Sequence, residues 1–351
     1  MFKIKVLRRE DIESILDIRS VIQGVEEAYV SKARNEADVF PMIFHEFDSG
    51  KADMDIKAGH LKGANLYGFK QVSWFGENPE KGLPALLGSM MLFEGDTGRP
   101  LGLLDASYIT SIRTGAAGAI GIKYLARKNS KNLLMIGTGN QAIYQLAATL
   151  SVLSEIKTVS VYNPRSPEKA EKFVETVKDT LNNDFLAKFD ENREAYQEIK
   201  KRYDVEFQAV DNIEKATNKA DIIITATPSK KPMIQKEWIK KGVHINCIGS
   251  DMEGKQEIDE EIFGIARVFV DDINQSIRVG ETETAIKKEV IRREDIIGEI
   301  GNLIEGKISG RLTDEDVTIF DTSGLAIQDL ITAKYALDLA EKKGLGAEVE
   351  I

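Results

Sequence analysis

The chain is 351 residues long, 42% hydrophobic and 30% charged, which suits about two domains with a sizeable core and excludes a disordered or fibrous class. No apolar run approaches the ~20 residues needed to span a bilayer, so no membrane segment is expected, and with a net charge of −10 and lysines interleaved with glutamates nucleic acid is not an expected partner. A single cysteine, Cys247, excludes an internal disulfide framework, and His45, His60 and His244 are too scattered to suggest a metal site.

Residues 1–10 alternate polar and apolar and lack the features of a secretory signal, so the cytoplasm is the expected location. Helices are predicted near 11–16 and 21–34, then strands around 66–73, 86–93 and 100–105. A turn rich in Gly and Asp, 94–100, joins the last two. This half reads as α+β.

From Leu133 onward short apolar runs alternate with helical periodicity: strands are predicted at 133–137, 158–163, 205–210, 221–227, 243–249 and 267–272. Repeated βαβ units imply right-handed crossovers and a doubly wound parallel sheet, a Rossmann α/β architecture. The stretch 168–204 is longer than one crossover helix requires. Asn182-Asn183-Asp184 suggests a break and 191–203 an exposed second helix, so the region around 180–204 reads as a surface insertion. Past Gly301, residues 316–320 form another β-like run, and a helix is predicted from about 325 to 343, ending at Gly344 with lysines in its last turn.

The segment Leu133-Leu134-Met135-Ile136-Gly137-Thr138-Gly139-Asn140-Gln141-Ala142 is an apolar strand leading through GxGxxA into a helix. Gly137 permits the tight turn, Gly139 lets the backbone approach a pyrophosphate, and Ala142 allows close helix–strand packing beside the free N–H groups of the helix start. The motif is weak alone and gains specificity from the βα units that follow. An NAD site usually carries an acidic residue at the end of the second strand. This chain has Asn163, then Arg165 and Ser166, which suit a 2′-phosphate and favour NADP(H) over NAD(H). The alternative is that Arg165 is solvated and Asn163 alone holds NAD. Thr227, Ile248, Gly249, Ser250 and Asp251 end the fourth and fifth strands, where ligands of open α/β sheets sit.

Four segments, taken together in order and spacing, are Ser111-Ile112-Arg113-Thr114-Gly115-Ala116-Ala117, the Gly137 to Ala142 motif, Gly249-Ser250-Asp251-Met252-Glu253-Gly254-Lys255-Gln256-Glu257, and Val317-Thr318-Ile319-Phe320-Asp321-Thr322-Ser323-Gly324-Leu325-Ala326. Their combination resembles the ornithine cyclodeaminase/μ-crystallin family, which includes alanine dehydrogenases and ketimine reductases. The resemblance implies a Rossmann domain, 131–310, inserted into a discontinuous α+β substrate and dimerisation domain, 1–130 plus 311–351, and a homodimer. It implies that Asp251 is the catalytic acid/base and that Lys70 binds the substrate carboxylate. Arg113, with Thr114 beside it, Gln141, Thr227 and Lys255 would contact the cofactor or the adjoining substrate, and Ser323 would line the substrate pocket. Physically, Lys70 can anchor a carboxylate and perturb a neighbouring acid, and an Asp near a nicotinamide can exchange the amine proton as the hydride leaves Cα. Each residue also has a duller reading: a strand Lys commonly snorkels, and an Asp after a strand is often an N-cap.

Two departures qualify the resemblance. Ornithine-specific members carry an arginine on the strand preceding that of Lys70, and residues 40–47 contain none. Asp55 stands where those members have a glutamate for the distal amine. The expected function is hydride transfer at the α-carbon of a small amino or imino acid, by an amino-acid dehydrogenase or imine reductase. Ornithine cyclodeamination with catalytic NAD is the alternative, and a non-catalytic protein holding NADPH and a small ligand is the second.

Overall fold

The computed structural model describes residues 2–250 and 252–351. The chain falls into two compact units, one of 1–113 with 325–351 and one of 114–324. In the first, the strands Ala347–Glu350, Lys3–Leu7, Pro100–Asp105, Leu86–Glu94, Leu66–Phe75, Ala52–Leu61 and Ala37–Val39 lie side by side in that order, with Ile43–Asp48 also paired to Ala52–Leu61. Lys3–Leu7 and Pro100–Asp105 run parallel and the other neighbours antiparallel. Strand alternation sorts the side chains: Leu66, Gly68, Lys70 and Val72 are buried, whereas Tyr67, Phe69 and Gln71 face the other way. The buried side is covered by the helix Ala326–Lys343, which also packs on Ile18–Ala33. Asp17 caps Ile18–Ala33 by accepting the Ser20 N–H at 2.9 Å. Gly344, at φ 66°, closes the C-terminal helix.

The second unit carries an eight-stranded, wholly parallel sheet in the order Glu206–Ala209, Thr158–Tyr162, Asn132–Ile136, Ile222–Thr225, His244–Cys247, Val317–Asp321, Ala266–Val270 and Gly298–Glu299. All residues of Ile222–Thr225, His244–Cys247 and Val317–Asp321 are buried, as strands covered on both faces must be. Burying an Ile or Phe side chain there stabilises the sheet by about 1.5–3 kcal/mol each. His244 lies inside it between Thr318 and Asn246, and burial pushes its pKa down to about 3, so it stays neutral. No helix among the described residues is long and apolar enough to cross a membrane.

Four expectations change. The β-like run at 316–320 does not belong with the first unit: Val317–Asp321 is an interior strand of the parallel sheet. The unit boundaries therefore fall after 113 and 324 rather than after 130 and 310. Packing explains the first shift, because a Cβ on Gly118 or Gly121 would meet Gln145 or Phe320 at 2.0 or 2.3 Å, which ties the second half of Ser107–Leu125 to the nucleotide unit. Finally, the second helix of the insertion, Glu194–Tyr203, is not simply exposed. It buries Ile199 and Tyr203, and the Tyr203 hydroxyl donates to the Ala147 carbonyl at 3.3 Å. The helix before it, Pro167–Thr180, runs on through Leu181–Phe185 where a break was expected.

Candidate active site

Strand Asn132–Ile136 delivers the glycine motif to the carboxyl end of the sheet. Gly137 sits at φ 106°, and a Cβ there would lie 2.5 Å from the Ala226 carbonyl oxygen; only glycine accepts both conditions. Gly139 is the opposite case: a Cβ there would meet nothing within 4 Å. It is the N-cap of Asn140–Val152 and supplies no side-chain cap to that helix's leading N–H groups, an arrangement that receives a phosphate. The Gln141 side-chain oxygen is buried without a hydrogen-bond partner among the described residues, while Ala142 is buried. These features fit a dinucleotide.

A groove of about 630 Å³ opens beside the motif, lined by Gly137, Thr138, Gly139, Asn163, Arg165 and Thr227, with Lys169, Lys230 and Lys231 added. Among its described lining residues there is no carboxylate. The Asn163 amide is committed to the turn: Nδ2 donates to Thr138 Oγ1 at 2.6 Å, and Oδ1 accepts the N–H groups of Arg165 and Ser166 at 2.9 and 3.2 Å. Ser166 caps the helix Pro167–Thr180, and Arg165 is exposed.

The ends of the two central strands are fastened by buried acids that the sequence reading left without a role. Glu257 accepts the N–H of Thr227 at 2.7 Å and of Gly249 at 2.9 Å. Glu281 accepts the Ser250 hydroxyl at 2.7 Å and the N–H of Ile258 at 2.6 Å. Burial pushes Glu257 up to about 7, against the pull of those hydrogen bonds. It pushes Glu281 well above the carboxylate range, with the neighbouring Glu257 charge adding to the effect. Ile248 is also buried. Lys255 is half-buried, and its N–H donates to the Met252 carbonyl at 3.3 Å. Asp251, expected to be the acid/base, lies outside the described residues. Ser323 donates to Asp271 at 3.3 Å and accepts from Gln275 at 2.8 Å, so its hydroxyl is engaged inside the nucleotide unit. The Thr114 carbonyl accepts from the Gln145 amide at 2.9 Å.

In the first unit, Lys70 and Arg113 come together on a residue that the sequence reading missed. Lys70 Nζ and Arg113 Nε both donate to Asp329 Oδ1, at 3.1 and 2.8 Å, and all three side chains are buried. Arg113 Nη1 adds a bond to Gln328 Oε1 at 2.8 Å. Burial lowers the Lys70 pKa to about 8, partly opposed by Asp329 and reinforced by Arg113 and Lys57. For Asp329 burial alone would act upward, and Arg113 and Lys70 outweigh it and hold the carboxyl below its ordinary range. Two cations on one carboxylate leave a buried positive charge, the complement of a substrate carboxylate. Asp55, on the next strand, presents a buried Oδ1 with no hydrogen-bond partner among the described residues, two positions from Lys57, which pairs across the sheet with Lys70. A signal for Asp329 existed in the sequence: Gln328-Asp329 interrupts an otherwise apolar first turn, and an acid so placed needs a partner.

Comparison with known proteins adds four findings. The model of the ornithine cyclodeaminase/mu-crystallin family matches residues 3–195 and 184–344. The alanine dehydrogenase of Archaeoglobus fulgidus is 39% identical over 98% of both chains. Among solved structures, an archaeal alanine dehydrogenase dimer with bound NAD superposes with a TM-score of 0.88 at 37% identity, covering all of both chains. The Delta(1)-pyrroline-2-carboxylate reductase of Thermococcus litoralis, in complex with NADH and L-proline, gives 0.86 at 31% identity over 99% of this chain and 100% of that one.

Proposed function

This chain belongs to the ornithine cyclodeaminase/mu-crystallin family, and we propose that it is a nicotinamide-dependent oxidoreductase of small amino or imino acids. The observation that carries the reading is the buried Lys70–Arg113 pair on Asp329, a preformed seat for an α-carboxylate. Bound nicotinamide dinucleotide supplies or takes up the hydride at Cα. Lys70 and Arg113 hold the carboxylate and so fix which carbon is presented. Asp251 moves the proton: in the reductive direction it protonates the imine nitrogen as the carbon receives the hydride, and in the oxidative direction it accepts the amine proton. Gly139 and the start of Asn140–Val152 cradle the pyrophosphate.

The cofactor form we favour is NADP(H). Arg165, Lys169, Lys230 and Lys231 supply cations to a groove with no acid among its described lining residues, and the Asn163 amide is already engaged. A homodimer is the proposed assembly. Phe47, Phe69, Phe75, Leu87 and Leu103 leave exposed apolar side chains on one face of the antiparallel sheet, the kind of patch that marks an interface, and a relative of this chain is a dimer. A cytoplasmic setting, where these cofactors are abundant, completes the reading.

The test is a substrate panel on purified protein: pyruvate and other α-keto acids with ammonium, and cyclic imino acids, each with NADPH and NADH, read by absorbance of the reduced cofactor. Oxidation of neither cofactor by any member sinks the proposal. A second reading has one observation in its favour, the buried Asp55 Oδ1 without a partner among the described residues, which suits an amine-bearing side chain such as that of ornithine. Ammonia and proline formed from L-ornithine without accumulated reduced cofactor would establish that cycle.

A further inference from the structure

We propose that Asp329 is the positioning residue of the carboxylate seat: by taking Lys70 Nζ and Arg113 Nε on one oxygen, it sets both the direction and the charge of the two cations. This rests on the reading above that Lys70 and Arg113 receive the substrate carboxylate.

The carboxylate is itself fixed. Asp329 lies in the first turn of Ala326–Lys343, where the helix dipole favours an anion. The residue before it, Gln328, is pinned from two sides: its Oε1 accepts the Leu325 N–H at 3.1 Å, and its Nε2 donates to the Tyr29 hydroxyl. Gln328 Oε1 also takes Arg113 Nη1, so the guanidinium is held at two nitrogens by two consecutive side chains. Neither cation can swing without breaking a buried charge-assisted bond.

The charge argument is as direct. The groups facing Lys70 are Asp329 from the C-terminal helix, Arg113 from Ser107–Leu125, and Lys57 and Asp55 from the adjoining strand; the strand on its other side presents Met90. Burial, Arg113 and Lys57 all disfavour the ammonium, and Asp329 is the principal group that favours it. Without that carboxylate Lys70 loses its proton at a lower pH and no longer attracts a carboxylate.

Asp329→Asn is the informative variant. Asp329 Oδ2 has no hydrogen-bond partner among the described residues, so an amide nitrogen in its place breaks no bond, while the oxygen that serves both cations is kept and the charge is lost. The experiment is kcat/KM against pH for the keto acid or imine that the panel identifies. The basic limb is expected to move down by about one unit or more in the variant. KM should rise at least about tenfold at pH 8, by less at pH 6.5, with the dissociation constant of NADPH within about twofold of the parent. A limb that stays in place with residual activity reduces Asp329 to a structural brace and overturns the proposal. Should this variant not fold, Asp329→Glu keeps the charge and displaces the oxygen: KM is then expected to rise with the limb unmoved, and an unchanged KM overturns it. If the parent turns over no panel member, the functional reading fails separately. The inference is then read from the ¹⁵N resonance of the Lys70 side chain, identified with Lys70→Arg, which should titrate near pH 8 in the parent and lower in Asp329→Asn. Equal titration in both would refute it.

Discussion

Substituting alanine at two glycines of one motif should have opposite consequences. Gly137→Ala places a methyl 2.5 Å from the Ala226 carbonyl and 3.0 Å from Thr227 Cγ2, on a backbone at φ 106°. The conformation alone costs about 1–2 kcal/mol, and the clash with a fixed strand end brings the total to about 3 kcal/mol. For a unit of this size that is a fall in Tm of roughly 6–12 °C. Gly139→Ala meets nothing within 4 Å and keeps an ordinary φ of −77°. A poorer N-cap costs about 0.5 kcal/mol, and the stiffer unfolded chain returns about as much, so Tm should hardly move. The methyl instead projects where a pyrophosphate must approach the helix start. Loss of one charge-assisted bond, about 1.5–3 kcal/mol, raises the dissociation constant roughly 10- to 100-fold. Melting followed by circular dichroism and titration of NADPH fluorescence separate the two effects. If Gly139→Ala binds NADPH as the parent does, the cradle has been misassigned; if Gly137→Ala melts with the parent, the strain argument is wrong.

Asp251→Asn should abolish turnover while NADPH affinity stays within about twofold; undiminished turnover, measured on the panel, would remove Asp251 from its role. Arg165→Ala combined with Lys169→Ala should lower the ratio of kcat/KM for NADPH over NADH by about tenfold or more, chiefly through KM for NADPH, and an unaltered ratio would send the 2′-phosphate elsewhere. Stability should fall between pH 5 and 8. Burial pushes Glu257 and Asp321 up to about 7, above their unfolded values near 4, so the folded state binds more protons in this window. The stability they contribute is complete below about pH 4 and is lost as pH rises through 7. Urea midpoints across the window check the sign, Glu257→Gln should flatten the slope, and a midpoint that rises with pH contradicts the argument.

What could be read from the sequence was local. Seven of the eight parallel strands were legible, most of them as short apolar runs ahead of a helix, whereas the two residues of Gly298–Glu299 carry no such pattern; the cofactor motif was legible because its glycines are adjacent to one of those runs. Lys70 and Arg113 were reached through resemblance, but their shared partner was not, since Asp329 is 259 positions from Lys70 and nothing local pairs them. Glu257 and Glu281 were similarly hidden: both look like surface acids in a charged stretch, and only the fold turns them onto the backbone of the strand ends. Strands such as Ala52–Leu61 were missed because their alternation mixes charges with small residues, which resembles a loop until the cross-strand partners are known.

The strand Val317–Asp321 lies between His244–Cys247 and Ala266–Val270, two strands that precede it in the chain. During synthesis the earlier pair emerges first, with a gap between them that no residue before 317 can fill. If the two join directly, the contact must open again to admit the newcomer, so maturation of the nucleotide unit waits until Val317–Asp321 has been made. A nascent chain arrested before residue 317 would present two unzipped edges, an invitation to pair with a neighbour on the same message. The order in which this sheet is threaded thus makes its late synthesis the stage most exposed to aggregation, and the stage at which a chaperone would have most to protect.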